Sequence, residues 1–202
     1  MPCWPKPAWI LRCSTRLRMT TMIDKIWQAD FQQQTFRQLL NAFSRPGSIV
    51  ALPNAGGRDA LGVLATLIDG ETSLADPHGL LTDNDLLRLQ LRPSKLEQAM
   101  YIICQGARPV DFEPRLGTLA SPEYGATLIV LVDSVCAGNP RYRLSGPGIE
   151  TFATLSLQGL DSGWIQQRSQ WNSAFPMGVD MLLIANDGLV AVPRTTRITE
   201  EN

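Results

Sequence analysis

Hydrophobic positions along this chain repeat with two different periods, and the switches between them mark out its elements. Phe36, Leu39, Leu40 and Phe43 recur at i, i+3, i+4 and i+7, which predicts a helix carrying one apolar stripe, with Asp30 as its N-cap. Arg45-Pro46-Gly47 stops it, because proline lacks an amide donor and glycine takes positive φ at little cost. A short β run is predicted over residues 48–52. Leu61, Leu64, Ala65 and Ile68 form a second helical stripe, and a third helix is predicted over residues 83–91. Ser94 and Glu97 stand at capping-box spacing for a further helical turn.

The second half of the chain changes period. Residues 101–104 and 126–132 read as strands, the latter continuously apolar as for a strand covered on both faces. A proline-punctuated segment, residues 106–125, separates them. Residues 142–144 form a strand ended by Gly146-Pro147-Gly148, and Trp164, Ile165, Arg168 and Trp171 suggest a late helix. Residues 179–185 and 189–192 flank Asn186-Asp187-Gly188, a strong hairpin signal. Helices interleaved with apolar strands predict a layered αβα sandwich, and the terminal hairpin makes its sheet mixed.

Composition narrows this picture. A chain of 202 residues, 44% hydrophobic and 18% charged, suits one packed domain, read here as residues 19–202. The 18 basic and 19 acidic residues nearly cancel, which argues against nucleic acid or an anionic membrane surface as partner. No apolar run approaches the ~20 residues that cross a bilayer, so a soluble domain is expected. Residues 1–18 differ from the rest. Trp4, Pro5, Pro7 and Trp9 stand among Lys6, Arg12, Arg16 and Arg18, with no acid before Asp24. This stretch is read as a disordered or artefactual extension.

The search for chemistry is mostly one of exclusion. His78 is the sole histidine, in Asp76-Pro77-His78-Gly79; a general-base role is possible there, but there is no GxSxG elbow to complete a triad. Cys3, Cys13, Cys104 and Cys136 lack metal-ligand spacing, and Cys104 and Cys136 read as small buried hydrophobes in a reducing cytosol. Lys6, Lys25 and Lys95 are the only lysines and none has an apolar helical or strand context, so a Schiff-base cofactor is not expected. Neither cofactor nor metal is assigned. Gly56-Gly57-Arg58 and Gly146-Pro147-Gly148 are turns without a Walker or GxGxxG pattern. The densest polar cluster is Pro193-Arg194-Thr195-Thr196-Arg197, where guanidinium and hydroxyls could hold a phosphate or phosphonate, or simply end a strand. Arg45 invites the same reading. Asp180 enters a buried strand, where backbone or an arginine such as Arg194 would satisfy it.

Five segments, in order, carry a family resemblance. They are Phe36-Arg37-Gln38-Leu39-Leu40 running to Arg45-Pro46-Gly47, Tyr124-Gly125-Ala126-Thr127-Leu128-Ile129, Leu144-Ser145-Gly146-Pro147-Gly148-Ile149, Phe175-Pro176-Met177-Gly178-Val179-Asp180, and Val192-Pro193-Arg194-Thr195-Thr196. Over roughly residues 22–199 the chain resembles the H-subunit family of bacterial carbon–phosphorus lyase. The resemblance implies a fold like the pyridoxal-phosphate-dependent transferases without that cofactor, and a cytoplasmic homodimer in a core complex with G, I and J subunits. It also implies a part, with G, I and L subunits, in making a ribose 1-alkylphosphonate 5-triphosphate from ATP and an alkylphosphonate, with release of adenine. The family assigns adenine displacement to the I subunit, so no catalytic residue is carried over.

Two principal readings follow. The first is an accessory subunit whose exposed apolar residues form a partner surface. The second is a homodimer with a small-ligand site, for nucleotide or phosphonate, built from Arg45, Asp180, Arg194, Thr195 and Thr196. An independent hydrolase using His78 is a third, weaker alternative.

Overall fold

Strands Tyr101–Gln105, Thr127–Leu131 and Asp180–Ala185 lie side by side and parallel, the arrangement expected of apolar runs covered on both faces. They belong to a computed structural model that describes residues 25–91, 93–109 and 111–201. The extension expected at residues 1–18, with Cys3 and Cys13, lies outside the described residues.

In chain order the elements are α1 (Ala29–Ser44), α2 (Asp59–Leu67), β1 (Leu74–Ala75), α3 (Asp83–Arg88), β2 (Tyr101–Gln105), β3 (Thr127–Leu131), β4 (Arg141–Ser145), β5 (Ala153–Ser156), α4 (Gly163–Trp171), β6 (Asp180–Ala185), β7 (Gly188–Val192) and β8 (Arg197–Glu201). The main sheet has the order β1-β2-β3-β6-β7, parallel except for β7. It is therefore α/β with a mixed sheet, as the interleaved pattern predicts. The hairpin signal holds: β6 and β7 pair from Met181↔Val192 to Ala185↔Gly188 around Asn186 and Asp187.

Strand alternation sends side chains to two cores. Ile103, Ile129, Leu182 and Ile184 pack with Phe31, Leu39, Leu61 and Leu64 of α1 and α2. Ile102, Leu128, Val130 and Leu183 face the other way, towards Trp164 and Trp171 of α4 and towards Tyr142 and Leu155. That far layer contains something the sequence pattern did not predict, a second antiparallel sheet of order β5-β4-β8.

Several boundaries moved for identifiable reasons. The first helix buries Phe31, Thr35, Leu39 and Ala42, so its core face is rotated from the expected stripe and Phe36 and Leu40 stand exposed. Its facing is fixed by α2, where Gly62 lets the Phe31 ring approach the helix backbone closely. Gln28 occupies the N-cap and Asp30 falls in the first turn. Residues 48–52 make only one bridge, Val50 with Leu189, rather than a strand. Ser94 does not take the N-cap: its hydroxyl donates to the Lys95 carbonyl, and a short 3-10 turn, Leu96–Gln98, begins after Lys95 instead. Cys104 is buried as expected, but Cys136 is exposed in a turn whose amides donate to Asp187.

The third helix is shorter than expected, ending at Arg88 with Gln90 at φ 55°. It starts on a capping box: the Thr82 hydroxyl accepts from the Asp85 amide, and the Asp85 carboxylate accepts from the Thr82 amide at 3.0 Å. The same carboxylate receives Arg58 at 2.5 Å, so a buried acid links α3 to the entry of α2. Burial alone would raise the Asp85 pKa, but the Thr82 hydroxyl and amide and the Arg58 guanidinium outweigh it and hold the carboxyl below its usual range. Thr82→Ala is expected to lower stability by about 1–2 kcal/mol in urea unfolding at neutral pH. An unchanged midpoint would mean that Arg58 alone satisfies Asp85.

Candidate functional site

The β6–β7 hairpin brings the start of one strand beside the end of the other, and so sets Asp180 against Arg194. The Arg194 amide donates to Asp180 Oδ1 at 2.7 Å, and Nη2 and Nε donate to Oδ2 at 2.7 and 3.2 Å. Nη1 turns away to the Pro122 carbonyl at 2.7 Å. Every nitrogen of the guanidinium is thus held by the protein itself. The backbone crowds around it: a methyl on Gly125 would overlap the Gly178 carbonyl and press on Arg194, and one on Gly178 would overlap Asn172. Asn172 in turn exchanges two hydrogen bonds with Val179, fixing the approach to β6.

Beyond Arg194 the chain crosses a cleft of about 610 Å³ between α4 and β8. Arg194, Thr195 and Thr196 line it, and Asp180 supports it from behind through Arg194. Arg45 is not among its lining residues. It is exposed at the C-terminal end of α1, on a loop whose Gly47 amide donates to Ala191 and which packs against Gly148. Four of the five residues singled out from sequence therefore meet, and the fifth serves a neighbouring junction. Thr195 is exposed, whereas Thr196 is 2% exposed and its hydroxyl has no partner.

Sequence reasoning gave Arg168 no role, although it also lines the cleft. It lies on α4 between Trp164 and Trp171, on the face that enters the core, and is 2% exposed. Nη1 donates to the Thr196 carbonyl at 3.1 Å, and Nη2 to the carbonyls of Val192 and Pro193 at 3.2 and 2.5 Å. Burial pulls its pKa down to about 10, so it remains charged at neutral pH. The available signal was a charged residue at a core position of an otherwise aromatic helical stripe.

The other chemical candidate, His78, lines a separate hollow with Arg108, Asp111 and Phe112. Its Nδ1 accepts the Gln105 amide at 2.9 Å, which fixes the neutral ring with its proton on Nε2. No residue lining that hollow carries a hydroxyl or thiol. Cys104 is no nucleophile either, since burial pushes its thiol up to about 12. Among the described residues no cluster could hold a metal ion, and Lys25 and Lys95 are both exposed.

Two outcomes follow from this geometry. Arg194→Ala removes the partner of Asp180 and is expected to cost about 3 kcal/mol in chemical denaturation with no ligand present. A stability loss appearing only when ligand is added would show that Arg194 serves binding alone. Desolvation, aided by Arg108, holds the His78 pKa below the ordinary histidine value. The folded state therefore binds fewer protons than the unfolded chain, and this contribution, present above about pH 6.5, is lost as pH falls. Thermal midpoints of wild type and His78→Asn should converge as pH falls below about 6.5; parallel curves would contradict the neutral assignment.

Comparison with known proteins bears on the whole described chain. The family model described as "Bacterial phosphonate metabolism protein (PhnH)" matches residues 25–199. A relative from Stutzerimonas stutzeri, "Putative C-P lyase subunit protein HtxG", is 44% identical over 174 residues, covering 86% of this chain and 89% of that protein. A second, "Alpha-D-ribose 1-methylphosphonate 5-triphosphate synthase subunit PhnH" from Rhizobium meliloti (strain 1021), is 28% identical over 191 residues, 88% of this chain and 94% of that protein. The resemblance carried by the five segments and the match along almost all the described residues agree: the chain belongs to the bacterial phosphonate metabolism protein (PhnH) family.

Proposed function

We propose that this protein is an accessory subunit of a carbon–phosphorus lyase assembly, a homodimer that joins G, I and J subunits in the cytoplasm. With G, I and L subunits it is required to form a ribose 1-alkylphosphonate 5-triphosphate from ATP and an alkylphosphonate. The observation that carries this reading is the family match over residues 25–199, together with two relatives that are both named as subunits. Kinship of the layered fold with pyridoxal-phosphate-dependent transferases belongs to the same reading.

The geometry supports an accessory role over a self-contained enzyme. Arg194 and Asp180, the most reactive-looking pair in the sequence, are consumed in holding one another and the turn before β3. His78 has no nucleophile beside it, so a hydrolase finds no support in the described site. The outer face of α1, meanwhile, leaves Phe36 and Leu40 47% and 55% exposed on one stripe. Such apolar exposure suits burial against a different subunit of the assembly.

Co-expression of the full chain with G, I and J subunits is expected to yield one co-purifying complex. A Phe36→Ser, Leu40→Ser double variant should keep the wild-type unfolding midpoint within about 1 kcal/mol, since both side chains face solvent, yet lose most of the complex. Failure of the wild-type chain to co-purify in mild salt would overturn the assembly role. Undiminished recovery of the double variant would remove α1 as the contact face.

A further inference from the structure

Arg168 is a buried cation without an anion. Its acceptors are three main-chain carbonyls, and among the described residues no carboxylate lies within ion-pair distance of it. Asp180 acts on it only from further off and is already gripped by Arg194. A buried charge normally has a partner, because the desolvation of an unpaired ion costs several kcal/mol. Its Nε is left without any acceptor, and so is the hydroxyl of the equally buried Thr196. Of the buried polar atoms without a partner among the described residues, these two alone sit on residues that line one cleft, enclosed just beneath its surface.

The rest of the cleft has the same polarity. Arg197, at the start of β8, adds an exposed guanidinium, Ser169 of α4 and Ser173 in the turn after it add hydroxyls, and no Asp or Glu lines the space. Three guanidiniums set against the single carboxylate of Asp180 leave two positive charges. That surplus matches a dianion. The donors come from a helix, a turn and a strand, so they converge from different directions, as a tetrahedral oxyanion needs and a planar carboxylate does not. At about 610 Å³ the cleft exceeds one anion, and Phe175, 66% exposed at its lip, offers an apolar surface to an organic remainder.

We propose that this cleft binds the phosphoryl or phosphonyl group of an ester ligand, with the Arg197 guanidinium as the donor at its surface and with Arg168 Nε and the Thr196 hydroxyl, enclosed before binding, turning to the anion as it seats. Arg194 is the wall of the site and not its ligand. The proposal rests on the phosphonate-metabolism reading only for the choice of probes; the unpaired cation and hydroxyl stand without it.

The test is ligand-induced thermal stabilisation of the full chain by tripolyphosphate and by methylphosphonate, with succinate as a planar-carboxylate control. Either phosphorus oxyanion should raise the midpoint saturably, the stronger of the two naming the preferred group, while succinate should not. Arg197→Ala, an exposed change, should weaken binding about tenfold with the apo midpoint unchanged. Thr196→Val removes an unpaired buried hydroxyl, so it should leave the apo protein as stable or more so, yet also weaken binding. That opposite movement is one a merely structural residue would not produce. No shift at millimolar phosphorus oxyanion, an equal shift with succinate, or a shift untouched by both variants would overturn the proposal. Co-purification on the same preparation separates the two readings: a chain that assembles but binds neither oxyanion loses the cleft and keeps the subunit role.

Discussion

One carboxylate organises the end of this molecule where its distinctive residues meet. Asp180 receives the amide and the guanidinium of Arg194, and Arg194 passes the restraint on to the Pro122 carbonyl. The entry of β6, the exit of β7 and the turn before β3 are thereby tied to one point. The glycines around it follow from this. Gly125 is needed because the Gly178 carbonyl and the guanidinium approach too closely for a side chain, and Gly178 because the Asn172 side chain does. A second junction sits nearby, where the Ser44–Gly47 corner packs on Gly148 and bonds Ala191, and Gly146 packs on Thr195. Family segments scattered over most of the sequence thus become two adjoining contacts.

This constraint also decides what is left for function. Because Asp180 is taken by Arg194, it cannot directly neutralise Arg168, which enters the same region from α4. The buried guanidinium holds carbonyls at the end of β7 and in the following turn, but it gains no countercharge from them. A scaffold built this way is rigid on one side of the cleft and electrostatically incomplete on the other. An accessory subunit that holds or hands over an anionic ligand needs no nucleophile of its own, which fits a chain whose thiol at Cys104 is desolvated and whose His78 is engaged by backbone.

The parts legible in the sequence were those whose pattern is set by burial alone. Strands β2 and β3 are buried on both faces and read as continuous apolar runs, and β6–β7 carries an unambiguous turn. β5 and β8 were not legible, since each is short and buries a single side chain, Leu155 in β5 and Ile198 in β8. The first helix is legible but its core face is not, because Phe36 and Leu40 are apolar yet lie on its exposed side. The site shows the same division. The pairing of Asp180 with Arg194 was open to inspection once a hairpin was inferred. Arg168 was visible as a misplaced charge, but its isolation depends on which acid another arginine has taken, and only tertiary structure reveals that.

The central claim is that this chain is indispensable to phosphonate activation without being the catalyst. It is tested most directly by following adenine release from ATP and methylphosphonate by purified G, I and L subunits, with this chain added or withheld. The account predicts release only when the chain is present and none from the chain alone. Full activity in its absence, or release by the isolated chain, would contradict it.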